Sequence, residues 1–397
     1  MLQHLPRVVL VFFASFGIGA GLLFFLHEPV DDSFPIGADF YPRWVGSRAF
    51  WSGTSPYTDA VTLQSQQLVF KGQNVRDIKA FAFYYPAYLA VIILPLAFLP
   101  VEVAGIIWSA AMWAVLATIY LCWSWQLRPR LAPIAWGFAL TALVLFRPSI
   151  VGVLSGQFAP FVLACLLLSW WLISVGEDML AGMVLLLATV KPSLALLATL
   201  VLLLWSFRWK RWKIALGFSI GIFLLTAITL NRIGWWLPDF IHQTLGYAND
   251  SRGLGLAWSP EAILTPLGFV WLVGTALLLG RGLRDLWRSR EFPWIAVFAG
   301  INLNLLASPH VYDYDLMMLL ILLLWLGNRW LGYFWGLLLW VLLVSVPLIL
   351  SILSSFEASL AQYMSGVWLF YPNLLLATLL VWTSREHFQY RLRRLFA

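Results

Sequence analysis

From Val8 to Leu26 the chain runs about nineteen residues without a charged side chain, and similar runs recur as far as residue 383. At a rise of about 1.5 Å per residue, a helix of that length crosses the roughly 30 Å hydrocarbon layer of a bilayer. Lipid offers no hydrogen bonds, so a spanning segment must pair its own backbone groups as a helix or close into a barrel. The two-residue alternation of a barrel strand is missing from these runs. The residues are 61% hydrophobic and 11% charged, where a soluble domain carries about 25% charge. The chain therefore reads as an all-α polytopic membrane protein.

Spans are expected at roughly 8–26, 84–100, 102–126, 134–152, 158–175, 179–205, 214–231, 263–280, 293–308, 312–326, 331–353 and 367–383, about 12 in all. Together they make one domain over 1–397 with two long connections, 27–83 and 232–262. Long connections in a compact protein usually carry function. Arg7 precedes the first run, but that run is longer than a signal-peptide core, so an uncleaved anchor is expected. No equal halves are visible, which gives an inverted-repeat transporter no support.

Charge orients the chain. The net charge is +7, gathered in "RWKRWK" (208–213), "RGLRDLWRSR" (281–290) and "RLRRL" (391–395). With the N-terminus inside, these clusters fall on the cytoplasmic side and both long loops fall outside. The positive balance is thus a topology signal, and no nucleic-acid partner is implied. "LRPR" (127–130) falls outside in this scheme, against the rule. An alternative makes 84–100 a re-entrant hairpin and splits 179–205 at Lys191-Pro192. It moves "LRPR" inside and brings "SGQF" (155–158) and Lys191 to the external side. The 24 tryptophans suit interfacial belts, although sugar sites use the same residue. Cys122 and Cys165 both lie in apolar runs, so neither a disulfide framework nor a cysteine metal site is expected.

The first long loop contains "GADFYPRWVGSRAFWSGTSPYT" (37–58). Pro42 pushes Tyr41 toward extended geometry and favours a helix start, and Gly53 supplies a stop. A helix from Pro42 to about Trp51 would carry Trp44, Val45, Arg48, Phe50 and Trp51, suited to lying in the membrane interface. Asp39, just ahead of it, is either a cap or solvated loop acid, or a general base held at the membrane surface. The cap position would fall on Tyr41, which weakens the first choice. Glu28, Asp31 and Asp32 are equally acidic, and spacing does not select among them.

Other polar residues carry paired readings. Tyr84, Tyr85 and Pro86 in "FYYPAYL" (83–89) anchor the interface or line a sugar site. Arg147 and Lys191 stand inside apolar runs, where an unpaired cation is costly. Each is internally paired or snorkelling, or else holds a lipid phosphate. Gln157 bonds between helices or touches substrate. In "SPHVYDYDLMMLL" (308–320), His310, Asp313 and Asp315 cap a turn, contact substrate or orient a base. As a metal site the run is weak, because its ligand count is low. Trp235, Trp236, Asp239 and His242 suggest an amphipathic lid on the membrane. There is no Gly-rich phosphate loop, dinucleotide fingerprint or zinc-peptidase pair, and no cofactor is expected.

Taken in order, "ADFYPRWVGSRAFWSGTSPYT", "FYYPAYLAVIILPLAFLP", "LSGQFAPFVLACLLL", "AGMVLLLATVKPSLALL" and "SPHVYDYDLMMLL" resemble the bacterial glycosyltransferase family 87, a branch of the GT-C superfamily. The resemblance spans roughly residues 37–325. It implies a GT-C-type helical bundle with amphipathic helices in the first external loop. It implies transfer of a sugar, often mannose, from a polyprenyl-phosphate donor to a lipid or glycan acceptor of the cell envelope, with inversion. It places such an enzyme in the bacterial plasma membrane with its site facing the exterior. Asp39 matches the family's catalytic Asp. Tyr41, Arg43, Arg48, Tyr85, Arg147, Gln157, Lys191, His310, Asp313 and Asp315 are the candidate substrate contacts. "SPHVYDYD" is longer than the Ser-Pro…His pattern of the family's mycobacterial mannosyltransferases.

Elementary chemistry agrees with a single base. A sugar phosphate already has a good leaving group, so one carboxylate suffices to deprotonate the acceptor hydroxyl. A hydrolytic glycosidase normally needs two. The departing phosphate needs cations, and Arg43, Arg48, Arg147 and Lys191 are available. The competing reading is a transporter or flippase of a lipid-linked glycan, which would line a polar route across the whole bilayer. Here the polar residues gather toward one side, apart from Arg147 and Lys191.

Overall fold

The computed structural model describes residues 5–30, 35–71, 81–126, 146–250, 266–308 and 312–323, with 342, 344–346 and 348–349 beyond them. The expected spans at 331–353 and 367–383, together with "LRPR" and "RLRRL", lie outside the described residues or almost entirely so. Every regular element among the described residues is helical. Among the described residues, three helices are long and apolar enough to cross a membrane: α1 (Leu5–Val30), α6 (Val101–Gln126) and α11 (Trp212–Ile233). A fourth span arises if a bent pair is counted as one. α1 packs along α6, where Trp113 fills the space a side chain at Gly19 would need. Its other side leaves Leu10, Ile18 and Phe25 bare, as a lipid-facing surface does.

Residues 84–100 do not form the expected span. They make two short helices, α4 (Leu89–Ile92) and α5 (Leu94–Ala97), broken around Pro95, whose ring and missing N–H interrupt a helix. This segment folds back over α2 (Tyr41–Trp51), beside α3 (Asp59–Val69). α2 was expected to lie on the interface, and it is instead interior. Tyr41, Arg43, Trp44, Val45, Ser47 and Phe50 are all buried. The cover is specific. Trp44 Nε1 donates to the carbonyls of Leu96 and Leu99 at 3.2 and 3.1 Å, and Ser47 Oγ donates to that of Ala90 at 2.8 Å.

Two further breaks matter for the site. α7 (Arg147–Leu154) and α8 (Ala159–Val175) meet at 113°, with Gly156 at φ 76° in the turn between them. Residues 179–205 also fail to make one helix. α9 (Asp178–Leu187) passes through a 3-10 turn (Ala188–Val190) into α10 (Pro192–Arg208), with Lys191 at the break. Pro192 cannot continue the preceding helix. Broken backbone at membrane depth is tolerated where protein surrounds it or it lines a cavity.

Close crossings use small residues, as association in lipid favours. A Cβ at Gly182 of α9 would lie 1.9 Å from the carbonyl oxygen of Ile214 in α11. A Cβ at Gly217 of α11 would lie 2.1 Å from that of Met179. α14 (Trp294–Ala307) packs on α10 and on α13 (Pro266–Arg288), and the 3-10 stretch Asp313–Leu319 packs on α7 and α8. At one end of α11, Arg211 Nε donates to Asp178 Oδ2 at 3.0 Å. At the other, Arg232 reaches the carbonyl of Trp51. α12 (Leu237–Asp250) leaves Leu237, Ile241 and Leu245 bare at a spacing of one helical turn, while Trp236 is buried and stacks on Tyr57.

Candidate active site

Asp39 owes its position to backbone contacts. Gly37 takes a left-handed conformation at φ 77° and turns the chain into a 3-10 turn (Ala38–Phe40) that leads into α2. The Gly37 N–H donates to the carbonyl of Leu154 at 2.7 Å, and the Asp39 N–H to that of Ser155 at 2.9 Å. A Cβ on Gly156 would lie 2.9 Å from Gly37 Cα, and one on Gly37 would lie 3.0 Å from the carbonyl of Gly105 in α6. Loop, turn and α6 thus meet at main-chain distance. Asp39 caps neither helical element, since no side-chain cap bond is made at either start.

Gln157, in the same turn, donates from Nε2 to Asp39 Oδ2 at 2.5 Å. Its Oε1 faces Arg43 Nη2 at 3.4 Å and Lys191 Nζ at 3.5 Å. This amide orientation is forced: a carboxylate only accepts, while a guanidinium and an ammonium only donate. Arg43 is buried, bonds to the Tyr85 hydroxyl and to the carbonyl of Gly156, and lies 4.5 and 5.0 Å from the ring centroids of Tyr85 and Phe158. Lys191 pairs with Asp315 Oδ1 at 2.5 Å. The other oxygen of the buried Asp315 accepts the Tyr312 N–H at 3.2 Å. Trp108 braces the turn, donating to the carbonyl of Gly156 at 3.0 Å and stacking on Phe158 at 4.3 Å.

Six of the candidate residues therefore converge: Asp39, Arg43, Tyr85, Gln157, Lys191 and Asp315. Others stand apart. Arg48 is exposed on the far side of α2, stacked on Trp44 at 4.8 Å. Tyr41 is buried beside Gly105 of α6. Arg147 opens α7, at the opposite end of that helix from the turn. His310 and the side chain of Asp313 lie outside the described residues. Among the described residues no group of three His, Cys, Asp or Glu stands close enough to share a metal ion. Trp108, Phe158 and Tyr314, whose ring centroid lies 5.2 Å from Lys191 Nζ, were not singled out from the sequence. Phe158 stands in the quoted "SGQF", but nothing distinguishes Trp108 from the other tryptophans of apolar runs.

The electrostatics favour a proton acceptor. Burial raises the Asp39 carboxyl above its ordinary value of 3.8, and the charge of Asp315 adds to the rise. Arg43, the Gln157 hydrogen bond and Lys191 pull the other way without cancelling it. Asp39 is half-buried as a residue. A carboxylate beside two cations can take a proton from one group while the cations stabilise an anion on another.

A sequence model of glycosyltransferase family 87 matches residues 83–309, more than half of the chain. The match includes Tyr85, Trp108, Gln157 and Lys191, begins after Asp39 and Arg43, and ends before Asp315. No curated protein and no solved structure matches the chain. On the extent of the family match, the chain belongs to glycosyltransferase family 87.

Proposed function

We propose that the chain moves a sugar from a polyprenyl-phosphate-linked donor to a lipid or glycan acceptor of the cell envelope, with Asp39 as general base. The acceptor hydroxyl oxygen attacks the anomeric carbon. The bond from that carbon to the phosphate oxygen breaks, and the phosphate leaves with the electron pair. The hydroxyl proton passes to Asp39. Attack and departure on opposite faces invert the anomeric centre. Arg43 and Lys191 are the cations nearest the base and would stabilise the phosphate as its charge grows. Mannose is the first sugar to try.

The observation that carries this proposal is the state of Asp39: raised in pKa and joined through Gln157 to two cations. The membrane setting supplies the reason for a lipid donor. A site built on broken membrane helices can take a phosphate that sits at headgroup depth while the prenyl chain stays in lipid. The proposed frame is one domain over 1–397 with about 12 spans, in the bacterial plasma membrane and open to the exterior. α12 would lie on the membrane surface with its bare stripe against lipid.

The test is transfer by the purified full chain in proteoliposomes, using synthetic polyprenyl-phosphate sugars. Asp39→Asn is expected to lower the rate by about 10²–10⁴-fold, the usual contribution of a general base, with an unchanged melting curve. Full transfer by that variant would remove Asp39 from the role.

A further inference from the structure

Asp39 lies near two cations, yet among the described residues it forms a direct ion pair with neither. Lys191 pairs with Asp315, and Arg43 turns to Tyr85, Gly156 and Gln157. What stands between the acid and the cations is one neutral amide. We propose that Gln157 is a positioning residue that holds Asp39 apart from Arg43 and Lys191, so that base and phosphate-binding cations act as separate groups. This inference rests on Asp39 being the base.

The chemistry of inversion calls for such a spacer. The base must meet the acceptor on one face of the sugar, and the cations must meet the phosphate on the other. A direct pair with Arg43 or Lys191 would merge the two sites. It would also lower the carboxyl pKa by about one to three units, weakening the base. A carboxamide can donate to the carboxylate from nitrogen while its oxygen accepts from both cations. Glutamate lacks the donor when ionised, and an aliphatic residue lacks both groups. Gln157 also occupies Oδ2 of Asp39. That leaves Oδ1 as the oxygen to which the protein donates no bond among the described residues, and so the one free to receive the acceptor proton.

Among the described residues, the charged and titratable groups around Asp39 come from four of the elements packed there. They are Arg43 from α2, Tyr85 from the segment before α4, Lys191 from the break between α9 and α10, and Asp315 from the last 3-10 stretch. None lies in the turn that carries Gln157, so replacing Gln157 leaves all of them in the chain.

The experiment is the pH dependence of kcat/KM for transfer from a polyprenyl-phosphate sugar, measured for wild type, Gln157→Ala and Gln157→Glu. Removing the amide lets the cations close on Asp39. Gln157→Ala is expected to lose about 10- to 100-fold in rate, the cost of a weakened and misplaced base, with its acidic limb moved about one to three units lower. Gln157→Glu sets a second carboxylate against Asp39, and its limb is expected to move upward. Opposite movements in the two variants are what a spacer requires. If both limbs stay in place, or both move in one direction, Gln157 only supports the fold and the inference is overturned. Should either variant lose measurable transfer, infrared titration of the Asp39 carboxyl, assigned by difference from Asp39→Asn, reads the same shifts and decides in the same way. The two ideas fail differently. Transfer by Asp39→Asn would sink the base assignment, whereas an inactive Asp39→Asn with unmoved Gln157 limbs would sink only the spacer.

Discussion

Asp315 has no exposed side-chain surface, and Lys191 is its ion partner. Removing one member of a buried pair strands the other, at a typical cost of about 3–5 kcal/mol. Lys191→Met is therefore expected to lower stability by about that amount in chemical unfolding of the detergent-purified chain. Adding Asp315→Asn should restore most of the loss, because no buried charge is then left unpaired. Transfer should stay impaired in the double variant, because a cation at the site is still gone. The pH dependence of the unaltered enzyme follows from Asp39. With Asp39 as the proposed base, which works only when ionised and whose pKa is raised, activity is expected to fall as pH falls, with a midpoint above the ordinary 3.8. A rate profile in proteoliposomes checks this. Spacing did not separate Asp39 from Glu28, Asp31 and Asp32; the family resemblance selected it. What the fold adds is contact with Gln157, 118 positions away, which no local pattern encodes. Gln157, Lys191 and Asp315 each carried a structural and a functional reading in the sequence. In the fold the structural reading holds, since each pairs internally, and all three do so at the same place.

At the scale of elements, the prolines told more than the apolar runs did. Length alone asks for full spans at 84–100 and 179–205, while Pro95 and Pro192 interrupt them, as the re-entrant alternative had it. The burial of α2 was not legible. A helix with Trp44 on it and both Arg43 and Ser47 beside it looks interfacial, because sequence does not show that carbonyls and aromatic rings from residues 81–97 will satisfy those groups inside. The crossing of α9 and α11 gives an element-scale test. Gly182→Leu puts side-chain atoms where the Ile214 carbonyl already lies 1.9 Å from a Cβ, and neither backbone can yield without moving its helix. An overpacked crossing of this kind typically costs about 1–3 kcal/mol, to be read as a lower midpoint in unfolding. Gly17→Ala, on a face of α1 with nothing within 4 Å, should leave that midpoint unchanged or slightly higher.

For the molecule as a whole, α11 is a ruler. Its 22 residues span about 33 Å at the helical rise, close to a bilayer's hydrocarbon thickness. One end is tied to Asp178 through Arg211 and the other to Trp51 through Arg232. Ser52 and Lys210 should therefore face opposite compartments. With Cys122 and Cys165 replaced by Ser, a membrane-impermeant maleimide added to intact cells should label Ser52→Cys and spare Lys210→Cys until the membrane is opened. Labelling of both from outside would refute the proposed orientation. The membrane class of the chain was legible from its apolar runs alone. The meeting of Asp39, Gln157, Lys191 and Asp315 was not, because it depends on how broken helices stack. That wide separation also governs when the enzyme can first act during its own synthesis. Asp39 leaves the ribosome 118 residues before Gln157, and Lys191 leaves 124 before Asp315. At about 5–20 residues per second, each wait lasts roughly 6–25 seconds. A nascent chain in the membrane thus carries its acid early but holds no assembled cluster until the last member, Asp315, has been inserted.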